Sequence, residues 1–246
     1  MTYSTGSSPK SLNAVDVNDD GKLDIIVVNY GSNNVGVLLN RGSGTFSPQT
    51  TYSTGSGPFY VAAADVNGDG KPDIIVVNSG SNNAGVLLNR GSGTFSPQTT
   101  YSTGSGSNPV CLSAIIQKNT GDVNDDGKLD IIVVNYGSNN AGVLLNRGSG
   151  TFSPQTIYST GSKPGCVAAA DVNGDGKSDI IVANLGSNNA GVLLNIGNGT
   201  FAAQTTYSTG SSPYYVTAAD VNGDDKPDII VANLGSNNTG VLLNYC

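Results

Sequence analysis

A nine-residue stretch, D-V-N-x-D-x-K-x-D, occurs five times and places oxygen-bearing side chains at its first, third, fifth and ninth positions. The copies span residues 16–24, 65–73, 122–130, 171–179 and 220–228. A hard divalent cation requires such a ring of carboxylate and amide oxygens, and calcium is the first candidate. The alternative is five Asp- and Asn-rich turns that hold no ion.

The stretch resembles the first part of an EF-hand loop, although no Glu follows at position 12 and the flanks are strand-like. Gly holds the sixth position in four copies. Asp225 holds it in the fifth, where a left-handed backbone is less favourable, so we expect the fifth site to be the weakest. The Lys at position 7 would contribute only its backbone carbonyl. The expected ligands are Asp16, Asn18, Asp20, Lys22 and Asp24; Asp65, Asn67, Asp69, Lys71 and Asp73; Asp122, Asn124, Asp126, Lys128 and Asp130; Asp171, Asn173, Asp175, Lys177 and Asp179; and Asp220, Asn222, Asp224, Lys226 and Asp228.

The acidic residues of the chain are confined to these loops. The chain has no Glu, and all 18 of its acidic residues are Asp within the five copies. The formal charge of -7 therefore follows from the loops and does not imply a basic partner. Because three or four carboxylates share each loop, we expect them to repel one another without metal. We predict Ca²⁺ as the cofactor, about one ion per repeat, and a stability that depends on calcium.

The spacing of the repeats predicts an all-β propeller. A repeat of roughly 50 residues built from short β segments is typical of a propeller blade. In the second repeat we predict strands at 60–66, 73–78, 85–89 and 94–103. The last of these carries Pro97 and is therefore expected to be outermost, because proline is tolerated at a sheet edge.

The chain ends complete this prediction. The fifth repeat reaches Asn244 without an outer strand, while residues 2–5 repeat the sequence of residues 51–54. We therefore predict a single domain, 1–246, that forms a five-bladed β-propeller with four-stranded antiparallel blades, its ring closed by the N-terminal strand completing the last blade. The third repeat carries an eight-residue insertion, two residues before Pro109 and six between Ala114 and Asp122. It is either a functional loop or a tolerated insertion.

The stretch D-V-N-G-D-G-K-P-D-I-I-V, followed by G-V-L-L-N-x-G-x-G-T-F, resembles the FG-GAP/VCBS repeat of integrin α-subunit propellers and many extracellular proteins. This resemblance implies a calcium-bearing β-propeller whose ligands are Asp16, Asn18, Asp20, Asp24 and their equivalents, and an extracellular or cell-surface location. It does not name one function, since such propellers serve as adhesion modules, lectins and scaffolds. The five repeats are fewer than those of the integrin ring.

Several function classes lack the residues that they need. Without His and Glu, the usual general bases, triads and His-containing zinc sites are missing, so we do not expect an enzyme. An enzymatic interpretation would require turnover of a polysaccharide near a calcium loop. The Lys and Arg residues form no basic run, which argues against nucleic-acid binding. The sequence contains no apolar run of 18 residues, so we expect no membrane span. We recognise no signal peptide, and we expect a monomer.

Three cysteines, Cys111, Cys166 and Cys246, are too few for a disulfide framework. Cys111 and Cys166 hold equivalent places in neighbouring repeats, which leaves a bridge open, but free and partly buried thiols are the favoured expectation. Cys246 is expected to be a free thiol.

The propeller topology predicts two different faces. The metal loops and the R-G-S-G turns should share one face, and the G-S-N-N turns the other. On the second face the two residues after each blade's proline vary most and should line the central channel. Aromatic rings near paired amides suit a sugar ligand, or an extracellular protein ligand. Turn chemistry for the amides and packing for the aromatics are the alternatives. The candidate ligand-binding residues are Phe59, Tyr60, Tyr214, Tyr215, Asn82, Asn83, Asn237 and Asn238.

Two functions follow from these observations. The first is a calcium-binding, non-enzymatic binding or adhesion module outside the cell, with a glycan as one possible ligand. The second is a purely structural repeat propeller, recently amplified or designed, with no ligand other than calcium.

Overall fold

The computed structural model describes residues 1–113 and 121–245, and its regular structure is almost entirely β-strand. The first repeat contains β1 (Pro9–Val15), β2 (Asp24–Asn29), a short 3-10 helix (Tyr30–Ser32), β3 (Asn34–Leu38), β4 (Asn40–Gly42), β5 (Thr45–Phe46) and β6 (Thr50–Ser53). The second contains β7 (Pro58–Ala64), β8 (Asp73–Asn78), β9 (Asn83–Leu87), β10 (Asn89–Gly91), β11 (Thr94–Phe95) and β12 (Thr99–Ser102).

The later repeats follow the same order of strands. The third contains β13 (Pro109–Ser113), β14 (Ile131–Asn135), β15 (Asn140–Leu144), β16 (Asn146–Gly148), β17 (Thr151–Phe152) and β18 (Thr156–Ser159). The fourth contains β19 (Pro164–Ala170), β20 (Asp179–Asn184), β21 (Asn189–Leu193), β22 (Asn195–Gly197), β23 (Thr200–Phe201) and β24 (Thr205–Ser208). The fifth contains β25 (Pro213–Ala219), β26 (Asp228–Asn233) and β27 (Asn238–Leu242).

Each of the first four repeats forms one four-stranded antiparallel sheet, as predicted. The strand orders are β1-β2-β3-β6, β7-β8-β9-β12, β13-β14-β15-β18 and β19-β20-β21-β24. The remaining strands of these repeats pair as two-stranded hairpins, such as β10 with β11. The sequence prediction of an all-β fold with four-stranded antiparallel blades is therefore confirmed for four repeats.

The hydrophobic core lies between neighbouring blades. All six residues of β8, from Asp73 to Asn78, are buried, as expected for an apolar run that is covered on both faces of its sheet. Between the first and second blades, Val28 and Val35 of the first share a hydrophobic cluster with Val61 and Val76 of the second. The second strand of an internal blade is buried throughout because a neighbouring blade covers each of its faces.

The predicted strand limits of the second repeat need correction. The first and third strands begin at Pro58 and Asn83, each two residues earlier than predicted. The fourth segment is divided: Ser96 donates its backbone N–H to Leu88 O (2.8 Å), and the Ser96 hydroxyl accepts the Leu88 N–H (2.8 Å). Because these bonds end the hairpin and Pro97 has no N–H, the outer strand starts only at Thr99. Its predicted outermost position is confirmed.

The predicted exchange of the N-terminal strand is not present in this structure. Residues 2–5 form no strand, and within the described part of the chain the last sheet has three strands, β25-β26-β27. Tyr3 packs edge-on against Phe46, with ring centroids 5.5 Å apart, as Tyr52 packs against Phe95. The outward faces of the end blades are open to solvent, since Leu12 is 69% and Val241 48% exposed. The structure therefore shows the blades without a closed ring.

A disulfide joins Cys111 of β13 to Cys166 of β19, with a Cα–Cα distance of 5.0 Å. The favoured expectation of two free thiols is wrong, because the inner strands of adjacent blades bring the two sulfur atoms together. The six inserted residues predicted between Ala114 and Asp122 fall largely outside the described residues, as does the predicted free thiol of Cys246, and both stay predictions.

No helix in residues 1–113 and 121–245 is long and apolar enough to cross a membrane.

Candidate metal loops and the central cavity

The first Asp of each metal loop organises the loop backbone. Asp16 Oδ1 accepts the backbone N–H groups of Asn18 (3.2 Å) and Asp19 (2.8 Å), and its Oδ2 accepts that of Gly21 (2.6 Å). The chain therefore wraps around one carboxylate, as Asx-type turns do. The first Asp accepts loop N–H groups in the same way in the other four repeats, through Asp65, Asp122, Asp171 and Asp220.

The sixth loop position has a left-handed backbone in every repeat. The glycines there have φ between +77° (Gly21) and +82° (Gly70), and Asp225 adopts φ +65° in the fifth loop. The expected left-handed turn at this position is confirmed, and Asp225 adopts it as well. The fifth loop keeps the same conformation with a side chain that disfavours it, which is the physical basis for expecting a weaker site there.

The ninth position holds a buried carboxylate that ties the loop to the sheet. Asp73 is fully buried; its Oδ2 accepts the Val66 N–H (3.0 Å) and its Oδ1 accepts the Asn89 N–H (2.7 Å). Burial raises the pKa of Asp73 to about 6, against the lowering effect of these two bonds. Burial likewise raises the pKa of Asp130 to about 6 and raises that of Asp179. A cation near these carboxylates would offset this penalty on the ionised form.

The fifth position carries a carboxylate that pairs with the loop's own lysine. Lys22 Nζ lies 3.1 Å from Asp20 Oδ2, and its hydrogen bond lowers the pKa of Asp20. Equivalent pairs occur in the next three loops at 2.9 to 3.3 Å. The sequence prediction gave this lysine only a backbone role. The structure adds an ammonium group that competes with any cation for the fifth-position oxygen.

The donor set of each loop fits a hard cation, although it is not gathered into a finished site. Across residues 1–113 and 121–245, no group of three or more Asp, Glu, His or Cys side chains is arranged to hold a metal ion. Asp16 Oδ2 and both carboxylate oxygens of Asp24 accept one backbone N–H each, so each of these oxygens still has a lone pair available for a metal. The carboxylates at positions 1, 5 and 9 with the Asn at position 3 therefore offer the oxygen chemistry that calcium prefers.

The predicted neighbours of the loops are in place. Gly42 of the first R-G-S-G turn lies beside Lys22, such that a Cβ on Gly42 would be 3.7 Å from Lys22 Cε, and Gly91 and Gly148 lie beside the lysines of their own loops. The metal loops and the R-G-S-G turns share one face, as the propeller topology predicts.

The variable residues after each proline meet at the centre of the fold. Together they line one cavity of about 180 Å³, formed by Lys10, Ser11, Phe59, Tyr60, Val110, Cys111, Gly165, Cys166, Tyr214 and Tyr215. This is the arrangement that the sequence predicts for the inner strands of all five repeats.

The chemistry of the cavity is mainly aromatic. Burial, with a contribution from the Tyr215 phenol, raises the pKa of Tyr60 to about 12. Lys10 Nζ lies 5.5 Å from the centroid of the Phe59 ring, within cation–π range. Tyr214 and Tyr215 are 39% and 46% exposed and form the accessible aromatic surface.

The paired amides of the G-S-N-N turns form hydrogen bonds within the turn and to the next blade. Asn82 Oδ1 accepts the backbone N–H of Asn108 from the next repeat (2.8 Å), and Asn83 Oδ1 accepts Asn78 Nδ2 (2.7 Å). These amides hold the turn and the neighbouring blade, as the turn-chemistry alternative states. In the fifth repeat Asn238 Oδ1 accepts the same turn bond from Asn233 Nδ2 (2.9 Å), and Asn237 and Asn238 also line a surface cavity of about 390 Å³ together with Tyr214 and Tyr215.

Sequence reasoning missed the asparagine that follows each third strand. Asn146 is buried, and its Nδ2 donates to Val66 O in the metal loop of the preceding blade (2.9 Å) and to Leu129 O (2.9 Å). Equivalent bonds join neighbouring blades through Asn89, Asn195 and Asn244. The signal was present as the unvarying L-L-N of every repeat.

Comparison with known families decides the classification. The FG-GAP-like repeat matches residues 16–76, 65–115, 122–182 and 171–231. The chain belongs to the FG-GAP-like repeat family. The resemblance to the FG-GAP repeat propeller family, which was inferred from the repeated motif, is thus confirmed. A search of curated proteins returned no match.

Solved structures resemble this FG-GAP-like chain in fold. A lectin of Agrocybe aegerita, described as recognising non-reducing terminal N-acetylglucosamine, is 24% identical with a TM-score of 0.58, over 95% of this chain and 66% of its own. A catalytically inactive virginiamycin B lyase of Staphylococcus aureus with quinupristin is 17% identical with a TM-score of 0.66, over 98% and 69%. A putative 6-phosphogluconolactonase of Bacteroides fragilis is 16% identical with a TM-score of 0.70, over 96% and 66%. The chain spans about two thirds of the length of each of these three.

Proposed function

We propose that the chain is a calcium-binding, non-enzymatic propeller that acts as an extracellular binding or adhesion module. The observation that carries this proposal is the fivefold metal loop, in which every acidic residue of the chain resides. The chain resembles a lectin and two proteins named as a lyase and a lactonase, all at low identity, so these likenesses do not choose between binding and catalysis. The residues of the chain itself have to decide. The missing His and Glu favour binding.

In this proposal each calcium ion is held by the oxygens of positions 1, 3, 5 and 9 and by the carbonyl of the lysine at position 7. In the second loop these are Asp65, Asn67, Asp69, Lys71 and Asp73. A bound calcium ion would stabilise the ionised carboxylate of Asp73, which burial disfavours, and this supports the proposal. Calorimetric titration of metal-free protein tests the proposal: calcium-specific heat with one ion per loop supports it, and no heat from a folded protein contradicts it.

We further propose that the five repeats close into a five-bladed ring through residues 2–5. Support comes from the residue before the first proline of the first blade, which has the same left-handed backbone as the equivalent residue where other blades meet. Asn188 Oδ1 accepts the N–H of Ser212 (2.7 Å), a residue that precedes a proline and has φ +50°. Ser8 also precedes a proline and has φ +52°, so it is shaped to meet Asn237, the counterpart of Asn188.

A designed disulfide tests closure. Ser208 lies opposite Asn189 in the fourth blade, so closure places Ser4 opposite Asn238 in the fifth. The variant Ser4→Cys with Asn238→Cys, in a Cys246→Ser background, should form an intramolecular crosslink under mild oxidation. A crosslinked dimer, or no crosslink in folded protein, contradicts closure within one chain.

The candidate ligand is a glycan held at the mouth of the central cavity. The exposed rings of Tyr214 and Tyr215 offer stacking surfaces, and the amides of Asn237 and Asn238 line the adjoining cavity. A glycan array in calcium buffer tests this, with Tyr214→Ala and Tyr215→Ala as controls. Signals lost in both variants support it, and silence across a broad array counts against it.

The second candidate is a purely structural propeller with calcium as its single ligand. The amides of Asn82 and Asn83 favour it, because they are engaged within the turn and with the next blade. It predicts full calcium-dependent folding together with no binding to glycans or extracellular proteins.

The extracellular location is supported by the bridge between Cys111 and Cys166, because disulfides persist in oxidising compartments. Secretion followed by thiol titration of the secreted protein tests it. One free thiol per chain is the expected result, and three free thiols would contradict it.

A further inference from the structure

The contact between neighbouring blades has a repeated aromatic pair at its outer side. In each case a tyrosine of an outer segment meets the phenylalanine of the next G-T-F hairpin edge-on, as Tyr52 meets Phe95 at 5.4 Å and Tyr158 meets Phe201 at 5.3 Å. The same tyrosine donates its hydroxyl to a hairpin carbonyl, as Tyr52 does to Gly93 O (3.3 Å). The hairpin is therefore seated on the preceding blade by one ring and one hydrogen bond.

The hairpin also covers the leucine that follows the third strand. A Cβ on Gly93 would lie 2.7 Å from Leu39 Cδ2, and one on Gly150 would lie 2.6 Å from Leu88 Cδ2. Only glycine allows this close approach between hairpin and leucine. Each internal blade thus presents a tyrosine and a leucine to the next hairpin.

The fourth blade presents the same surface without a hairpin on it. Tyr207, the counterpart of Tyr52, is 47% exposed and has no ring partner among the residues that the structure describes. Leu194, the counterpart of Leu39, is 36% exposed. The core clusters between the earlier blades contain Phe95, Phe152 or Phe201, whereas the described part of the cluster between the fourth and fifth blades contains no phenylalanine.

An apolar cavity of about 320 Å³ lies where that hairpin would sit. Its lining includes Val172, Val192, Leu194, Tyr207, Leu242 and Leu243. Val172 and Val192 are the counterparts of Val17 and Val37, which share a cluster with Phe95. The cavity therefore corresponds to the position that a phenylalanine side chain fills at the other interfaces between blades.

We propose that this cavity is an acceptor site for a Phe-bearing β-hairpin of the type R-G-S-G-T-F. The phenylalanine would enter the cavity against Tyr207, a glycine would cover Leu194, and a hairpin carbonyl would accept the Tyr207 hydroxyl.

Two other candidates for this part of the fold are a second copy of the chain and the N-terminal residues that would close the ring. A second copy of the chain has its hairpins seated already, with Phe46 on Tyr3 and Phe95 on Tyr52, so it would have to release one. Ring closure through residues 2–5 adds an outer strand to β27 but supplies no G-T-F sequence. The site is therefore separate from ring closure.

Fluorescence anisotropy with the full chain and a labelled synthetic peptide tests the proposal. The peptide is N-R-G-S-G-T-F-S-P-Q, the sequence of residues 40–49 and again of residues 89–98. We expect saturable binding in calcium buffer. The peptide with Phe46→Ala should bind at least about tenfold more weakly, because its ring no longer fills the apolar cavity.

Protein variants locate the site. Leu194→Lys should weaken peptide binding at least about tenfold, because it places a charge in the cavity. Ile196→Lys is the matched control, since Ile196 is 67% exposed, does not line the cavity, and should leave binding unchanged. Thermal unfolding of both variants checks that they are folded.

Three results would overturn the proposal. They are no saturation at about 1 mM peptide with folded protein, equal affinity for the Phe and Ala peptides, and equal binding by Leu194→Lys and the wild type. Light scattering provides a further check: a dimer that forms with increasing concentration and is abolished by Leu194→Lys would assign the face to a second copy instead.

Discussion

The asparagine after each third strand should be a principal bond between blades, and Asn146→Ala measures its contribution. Asn146 is 3% exposed, and its side chain makes three hydrogen bonds: to Val66 O, to Leu129 O and from the Gly148 N–H. Alanine removes all three, of which the bond to Val66 O is buried and the other two are partly buried. At about 1 kcal/mol for each bond, the free energy of unfolding should fall by about 3 kcal/mol.

The first repeat supplies a matched control. Asn40 Nδ2 donates to Leu23 O (2.9 Å), and Asn40 Oδ1 accepts the Gly42 N–H (2.9 Å), so Asn40 lacks the bond to a preceding blade in this structure. If the ring stays open, as in this structure, these two bonds predict a loss of about 1 to 1.5 kcal/mol for Asn40→Ala. The proposed ring closure would add a third bond and predicts a loss of about 3 kcal/mol. The difference between the variants, roughly 1.5 to 2 kcal/mol, isolates the bond between blades and its burial.

Urea unfolding in calcium buffer, followed by circular dichroism and tyrosine fluorescence, provides the assay. For a chain of this length each kcal/mol corresponds to about 2 to 4 °C in Tm, so Asn146→Ala should melt about 6 to 12 °C below the wild type. A loss below about 0.5 kcal/mol for Asn146→Ala would refute the reasoning. Equal losses of about 3 kcal/mol in both variants would instead show that Asn40 has a partner in a closed ring, with Val221 O the counterpart of Val66 O.

Three further predictions concern the bridge and the metal loops. Replacing both Cys111 and Cys166 by Ala should lower the free energy of unfolding by about 2 to 4 kcal/mol in urea titrations, given a sequence separation of 55, and reduced wild type should match this variant. In EDTA the protein should unfold at higher urea at pH 5 than at pH 7.5. The raised pKa of Asp73, about 6, means that its contribution to stability is complete below 3.8 and is lost as pH rises through 6; the opposite trend would contradict this. Asp69→Asn should weaken calcium binding at least about tenfold in calorimetry. It should leave metal-free stability within about 0.5 kcal/mol, because Asp69 is exposed, and an unchanged affinity would remove Asp69 from the ligand set.

Local sequence chemistry accounts for much of the fold. The apolar run at residues 74–77 predicts a strand buried on both faces, and the glycine at the sixth loop position predicts a left-handed turn. Pro97 correctly predicts an outer edge. These features depend on neighbours within about ten residues, which a single repeat already contains.

Features that depend on distance between blades could not be predicted in the same way. The pairing of Cys111 with Cys166 requires the inner strands of two blades to approach within 5.0 Å at their Cα atoms. The bond from Asn146 to Val66 joins residues that are 80 apart in sequence. The ammonium of Lys22 reaches Asp20 through a rotamer choice that the loop pattern does not specify.

The candidate ligand site shows the same division. The gathering of Tyr60 and Tyr215 at one cavity follows from blade topology and was predicted. The engagement of Asn82 with Asn108 depends on how closely adjacent blades pack, so the sequence left turn and ligand roles open.

The most direct test of the central claim is a count of the metal. Metal-free protein dialysed to equilibrium against calcium and analysed by elemental mass spectrometry should retain about five calcium ions per chain, one for each of the loops, with the fifth ion lost first as calcium is lowered. A folded protein that retains no calcium above the dialysis buffer would contradict the assignment of the Asp residues as metal ligands.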